Sequence, residues 1–170
     1  FSDVVGRVWG VEDFAGKDSI GFISVAEGDH TGCAICGDGG FQMTLQELAT
    51  ATESKLPVKI ALFNNGSLGM VRQWQHLFYD NRLSGVDLTG NPDFVKVAEG
   101  YGIKGVRISS HDELKAKMEE AMAYNEGPIL IHAEVASGDN VYPMIPVGAA
   151  IKDMLLGPPV EKLAKPEGST

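Results

Sequence analysis

Gly32-Cys33-Ala34-Ile35-Cys36-Gly37-Asp38-Gly39 and Val58-Lys59-Ile60-Ala61-Leu62-Phe63-Asn64-Asn65 are the stretches that decide how this chain folds. Each is a short apolar run, of the kind that makes a buried strand, and each ends abruptly in polar or glycine residues. Between them, Thr44 and Glu47 have the T-x-x-E spacing of a capping box, and Leu45, Leu48, Ala49 and Thr52 form a helical stripe up to Leu56-Pro57. The unit therefore reads strand, helix, strand. The second strand, residues 58–63, reads as buried on both faces.

The alternation continues outward. Met70, Val71, Trp74 and Leu77 place a helix over residues 68–77. Asn91-Pro92 reads as an N-cap followed by proline at the first helical position, with Gly100 as the stop. Residues 104–108 read as a strand, and Ser110 with Glu113 as a second capping box before a helix carrying Leu114, Met118, Ala121 and Met122. Gly127-Pro128 breaks that helix ahead of a last strand over residues 129–135. Strands alternating with helices require right-handed crossovers, so the expected fold is α/β, a mostly parallel sheet with helices on both faces. Residues 1–30 are glycine-rich without a clear period and stay unassigned, although residues 19–25 have strand composition. The folded domain is expected over residues 31–156, and residues 157–170, with three prolines, as a tail.

Bulk composition narrows the function. A net charge of −9 leaves no basic stripe to neutralise nucleic-acid phosphates, and no apolar run approaches the ~20 residues of a membrane span. No signal peptide is evident at the N-terminus. The two cysteines, Cys33 and Cys36, have no second pair to complete a zinc site and read as strand residues of a reduced, cytoplasmic protein. His30, His76, His111 and His132 fall on separate elements without metal-ligand spacing and read as structural.

In an open α/β sheet, ligands sit beyond the carboxyl ends of the strands. Gly37-Asp38-Gly39 and Asn64-Asn65 both lie there. The Asp38 carboxylate and the Asn65 amide oxygen are hard donors of the kind Mg²⁺ takes, and glycines let the backbone approach a phosphate. A backbone carbonyl in the turn after Asn65, that of Ser67, would add a third donor. By residue type alone the same stretches serve equally as ordinary turns.

The flanks decide between these readings. Residues 39–50, Leu56-Pro57-Val58-Lys59, Asn64-Asn65, Gly69-Met70-Val71-Arg72-Gln73-Trp74-Gln75, Leu77-Phe78-Tyr79, Asn91-Pro92-Asp93-Phe94, residues 98–105 and Val141-Tyr142-Pro143-Met144-Ile145-Pro146 together resemble the acetolactate synthase (acetohydroxyacid synthase) catalytic subunit. The resemblance covers residues 32–156 and falls on the C-terminal thiamine-diphosphate-binding domain of that family.

The resemblance implies a thiamine-diphosphate-binding fold, incomplete at its N-terminal end, and a bound Mg²⁺ held by Asp38, Asn65 and the Ser67 carbonyl. It also implies that Gly37, Gly39 and Gly40 line the diphosphate, although the family often has serine where Gly40 stands. Gly69 belongs to the same cofactor-binding set, Met70 matches a residue packed near the cofactor, and Trp74 matches a tryptophan that shapes the pocket for the second substrate. The implied reaction is decarboxylation of pyruvate and condensation with a second 2-oxo acid, for branched-chain amino acid biosynthesis.

No catalytic side chain is assigned here. The glutamate that activates the cofactor belongs, in the family, to a separate pyrimidine-binding domain that nothing in this chain resembles, and the FAD-binding domain is likewise missing. The chain is expected to be inactive without that domain or subunit and to work within a homo-oligomer. The alternatives are a subunit of another split thiamine-diphosphate-dependent 2-oxo acid decarboxylase, and a non-catalytic domain remnant.

Overall fold

A computed structural model describes residues 32–158. The strand composition noted at residues 19–25 lies outside the described residues, as do His30 and most of the tail. Among the described residues four parallel strands form one sheet in the order β1-β2-β4-β3, with β1 Cys33–Gly37, β2 Lys59–Asn64, β3 Lys104–Ile108 and β4 Ile129–Glu134. All four strands fall on the apolar runs marked in the sequence.

Side chains alternate between the two faces. One face carries Cys36, Ile60, Leu62 and Leu130, which pack with Phe41, Leu48, Phe94, Ala98 and Ile103. All of these packing partners but Ile103, which precedes β3, come from the helices α1 Asp38–Gln42, α2 Glu47–Glu53 and α4 Phe94–Gly100. On the other face Val106, Ile108, Ile129 and Ile131 pack on Ala121 of α5, His111–Ala123. Leu62, Phe94, Ile129 and Leu130 are fully buried, each worth about 1.5–3 kcal/mol of apolar transfer. A further helix, α3 Gly69–Phe78, starts just beyond the end of β2.

Several local expectations give way to longer-range contacts. The β2 run is not buried on both faces throughout: Phe63 is 45% exposed, beside Ile35 of β1 at 53%. Residues 43–46 form turns rather than the start of a helix, and no side-chain cap bond forms at Gln46, the residue preceding α2. Thr44 contributes its backbone carbonyl to the Glu47 amide instead. The helix after Asn91-Pro92 is capped by Asp93, whose carboxylate accepts from the Val95 and Lys96 amides, which frees Asn91 for other partners. At α5, Ser110 makes no side-chain cap bond, while Glu113 reaches back to the Ser109 amide at 3.4 Å.

Lys59 is buried at the opposite end of the sheet from the glycine and asparagine motifs. Its Nζ donates to the Tyr124 carbonyl and to Asn125 Oδ1, and so fixes the chain leaving α5. Burial lowers its pKa.

Candidate functional site

β1 and β2 are hydrogen-bonded neighbours with Gly37 level with Phe63, so the chain segments leaving both strands emerge side by side. Asp38 then begins α1 directly rather than standing in a turn. This five-residue helix holds two glycines and has no side-chain cap, so its intrinsic propensity is poor. Tertiary contacts stabilise it, chiefly the edge-on stacking of Phe41 against Phe94 at 5.7 Å. Gly39 is closely packed: a Cβ there would lie 2.5 Å from Leu68 Cδ2.

The two asparagines after β2 part company. Asn64 Oδ1 accepts from the Gly66 amide and its Nδ2 meets His132 Nε2 at 3.1 Å. Asn65 Oδ1 accepts from the Ser67 amide at 3.0 Å. Alternation along the strand thus sends Asn64 to the α4 side, while Asn65 opens onto a cavity of about 1390 Å³ beyond the strand ends. Asp38, Gly37, Gly39, Gly40, Ser67, Gly69, Met70 and Trp74 line the same cavity, so every residue picked from the sequence for the cofactor, the metal or the substrate pocket borders one space.

Electrostatics at this cavity favour an anion together with a cation. Gly69, Met70 and Val71, the first residues of α3, line it, with no side-chain cap at Leu68 and no acidic residue in the first turn among the described residues, at the positive end of a ten-residue helix. Asp38 is 2% exposed. Its Oδ2 accepts from Asn91 Nδ2 at 2.7 Å, and among the described residues no donor reaches Oδ1. The Ser67 carbonyl likewise receives no donor among the described residues. One carboxylate, one amide oxygen and one free carbonyl form an all-oxygen set suited to Mg²⁺, which completes its shell with phosphate oxygens and water. No group of three or more His, Cys, Asp or Glu side chains able to hold a metal by themselves occurs among the described residues.

The cysteines border the sheet rather than act. Cys36 is buried, and burial followed by the neighbouring Cys33 pushes its thiol up to about 12, leaving it protonated and inert.

Part of the lining comes from residues 143–145, and α3 holds the segment that leads into them. Gln73, 1% exposed, donates to the Val141 carbonyl at 2.8 Å and accepts from the Val141 amide at 2.7 Å. Arg72 Nη2 bonds the Asp139 carbonyl and Asn140 Oδ1. These anchors bring Pro143, Met144 and Ile145 to the cavity that Trp74 also lines, its ring packed edge-on against Phe78 at 5.9 Å. The sequence patterns gave Gln73 no role of its own and read Asn91 as a helix cap. The available signal for Gln73 was a glutamine immediately beside the apolar stripe of α3; for Asn91 it was the better cap, Asp93, two residues on.

The profile of the family described as "Thiamine pyrophosphate enzyme, C-terminal TPP binding domain" matches residues 19–133. The chain belongs to this family. It is 44% identical over 131 residues, 77% of its length, to the acetolactate synthase isozyme 2 large subunit of Escherichia coli (strain K12). It is 38% identical over 161 residues, 92% of its length, to the acetolactate synthase large subunit of Haemophilus influenzae. The matched parts are 24% and 28% of those proteins, so the chain spans about a quarter of their length.

Among solved structures it resembles the thiamine diphosphate-dependent 4-hydroxybenzoylformate decarboxylase of Rhodococcus jostii RHA1, with a TM-score of 0.60 and 28% identity over 66% of this chain and 21% of that one. It also resembles the benzoylformate decarboxylase of Polynucleobacter necessarius, with a TM-score of 0.56 and 29% identity over 61% of this chain and 19% of that one. The parallel sheet with its helices is thus the α/β fold of a thiamine pyrophosphate-binding domain.

Proposed function

We propose that this TPP-binding domain holds the diphosphate and Mg²⁺ of an acetolactate synthase, which decarboxylates pyruvate and joins the product to a second 2-oxo acid. The observation that carries this reading is the placement of the Asp38 carboxylate and the Asn65 amide oxygen at adjacent strand ends, beside the uncapped start of α3. Asp38, Asn65 and the Ser67 carbonyl would hold Mg²⁺. Gly37, Gly39, Gly40 and Gly69 would let backbone amides approach the diphosphate. Met70, half exposed at the cavity, would support the cofactor's ring system, and Trp74 would bound the pocket of the second 2-oxo acid.

Thiamine diphosphate supplies the carbon nucleophile and the electron sink for decarboxylation when bound. This domain's contribution is to bind and orient, since Asp38, the one carboxylate lining the cavity among the described residues, is taken up by the metal on this reading. Activation of the cofactor then falls to a pyrimidine-binding domain or subunit, and FAD to a region outside this domain. The working enzyme on this reading is a cytoplasmic oligomer. Identities of 38–47% to synthase large subunits, against 28–29% to the decarboxylase structures, favour carboligation over simple decarboxylation.

Titration calorimetry with thiamine diphosphate tests the binding claim. Binding is expected with Mg²⁺, to vanish with EDTA, and to be lost in Asp38→Ala. Equal binding by Asp38→Ala with the same Mg²⁺ dependence would overturn the assignment. In the full-length protein, acetolactate rather than acetaldehyde should accumulate from pyruvate; acetaldehyde alone would make it a decarboxylase.

A further inference from the structure

Asn91 lies at the end of a strap, residues 79–90, that returns beside the 66–68 turn through the Leu68–Val86 and Leu88–Gly66 backbone bonds. It does not cap α4, which Asp93 does. Its carboxamide is instead fully engaged. Nδ2 donates to Asp38 Oδ2 at 2.7 Å and to Asn64 Oδ1 at 3.3 Å, and Oδ1 accepts from Gln42 Nε2 at 2.8 Å. These partners fix which end of the amide is which, because the flipped orientation would set Oδ1 against two acceptors and Nδ2 against a donor.

Asp38 needs such a partner. It sits on a short, glycine-containing helix, and no other side chain donates to its carboxylate among the described residues. With Oδ2 held by Asn91, Oδ1 is the carboxylate oxygen without a donor among the described residues, on a side chain that borders the cavity.

We infer that Asn91 is a positioning residue: by holding Oδ2 it orients the Asp38 carboxylate so that Oδ1 meets the octahedral geometry Mg²⁺ demands. The inference rests on the reading of Asp38 as a metal ligand. Outer partners of metal ligands typically alter metal affinity by about 10–100-fold. Mg²⁺ tolerates misplaced ligands poorly, whereas Ca²⁺ accepts flexible geometry. Loss of Asn91 should therefore weaken the smaller ion selectively.

The test uses the full-length protein and reads the Mg²⁺ and Ca²⁺ concentrations that half-saturate thiamine diphosphate binding, with apo-protein melting measured alongside. Asn91→Ala is expected to raise the Mg²⁺ requirement by about 10-fold or more and the Ca²⁺ requirement far less. Gln42→Ala, which removes the partner on the other side of the Asn91 amide, should shift Mg²⁺ in the same direction by a smaller factor. It serves if Asn91→Ala fails to fold. An unchanged Mg²⁺ requirement, or equal weakening of both ions, overturns the positioning role. Asp38→Ala run in parallel separates the two claims. If it retains Mg²⁺-dependent binding, the ligand assignment itself falls; if it loses binding while Asn91→Ala is unchanged, only the positioning role falls.

Discussion

Removing the Gln73 side chain should release one wall of the cavity without dismantling the sheet. Gln73 bonds both backbone groups of Val141 at 2.7–2.8 Å and contacts Met144 Sδ at 3.0 Å from a site that is 1% exposed. Two neutral hydrogen bonds at ~1 kcal/mol each, with the unfilled space left by truncation, come to about 2–3 kcal/mol. Only the 139–145 segment leans on these bonds, so most of the loss should emerge as local opening. In Gln73→Ala, hydrogen exchange at the Val141 amide should speed up by roughly 30–150-fold, at about 1.4 kcal/mol per decade, while amides of β2 and β4 change little. Gln73→Met, which keeps the volume and loses the bonds, should match it at Val141 and cost less overall stability. Unchanged exchange at Val141 in both variants would refute the reasoning. The wall would then be held by Arg72 and by the Met144–Leu155 bridge.

Two further outcomes follow from the packing. His132 is buried with Nδ1 unpartnered among the described residues, and burial, then the Arg107 guanidinium, hold its pKa below the ordinary 6.5. The unfolded chain therefore takes up the proton first, so this group costs nothing above pH 6.5 and destabilises the fold as pH falls below it. Urea unfolding between pH 8 and 5 should show a shallower acid decline in His132→Leu than in wild type, beneath a constant offset from the unpaired Asn64 amide; parallel curves would contradict this. Gly105→Ala would place a Cβ 2.7 Å from Val95 Cγ1 and 3.3 Å from its Cα, overpacking α4 on β3. The expected cost is about 1–3 kcal/mol, read as a lower urea midpoint at unchanged slope and partly relieved by Val95→Ala.

Strands were legible in this sequence because their burial is dictated by composition: Ile129, Leu130 and Ile131 can satisfy a sheet and little else. The cavity was legible for a related reason, since glycine and asparagine after such runs mark the strand ends where ligands collect. Helix α1 was not legible. Its Asp-Gly-Gly-Phe-Gln sequence has no helical preference, and its conformation comes from Phe41 seated on Phe94, which lies far along the chain. Caps misled for the opposite reason. Asn91 is a good cap by type, but its amide is drawn to Asp38, 53 residues away, and Asp93 takes its place. Gln73 finds its partner 68 residues on, beyond the reach of any local pattern.

On the proposed function, Asp38 and Asn65 grip a divalent ion together with the diphosphate, and this grip is open to direct observation. It is tested most directly by the position of Mn²⁺, used in place of Mg²⁺, in crystals grown with thiamine diphosphate. An anomalous peak is expected bonded to Asp38 Oδ1, Asn65 Oδ1 and the Ser67 carbonyl, with phosphate oxygens completing the shell. A cofactor bound in the cavity with its metal ligated by other residues, or with no metal at all, would contradict it.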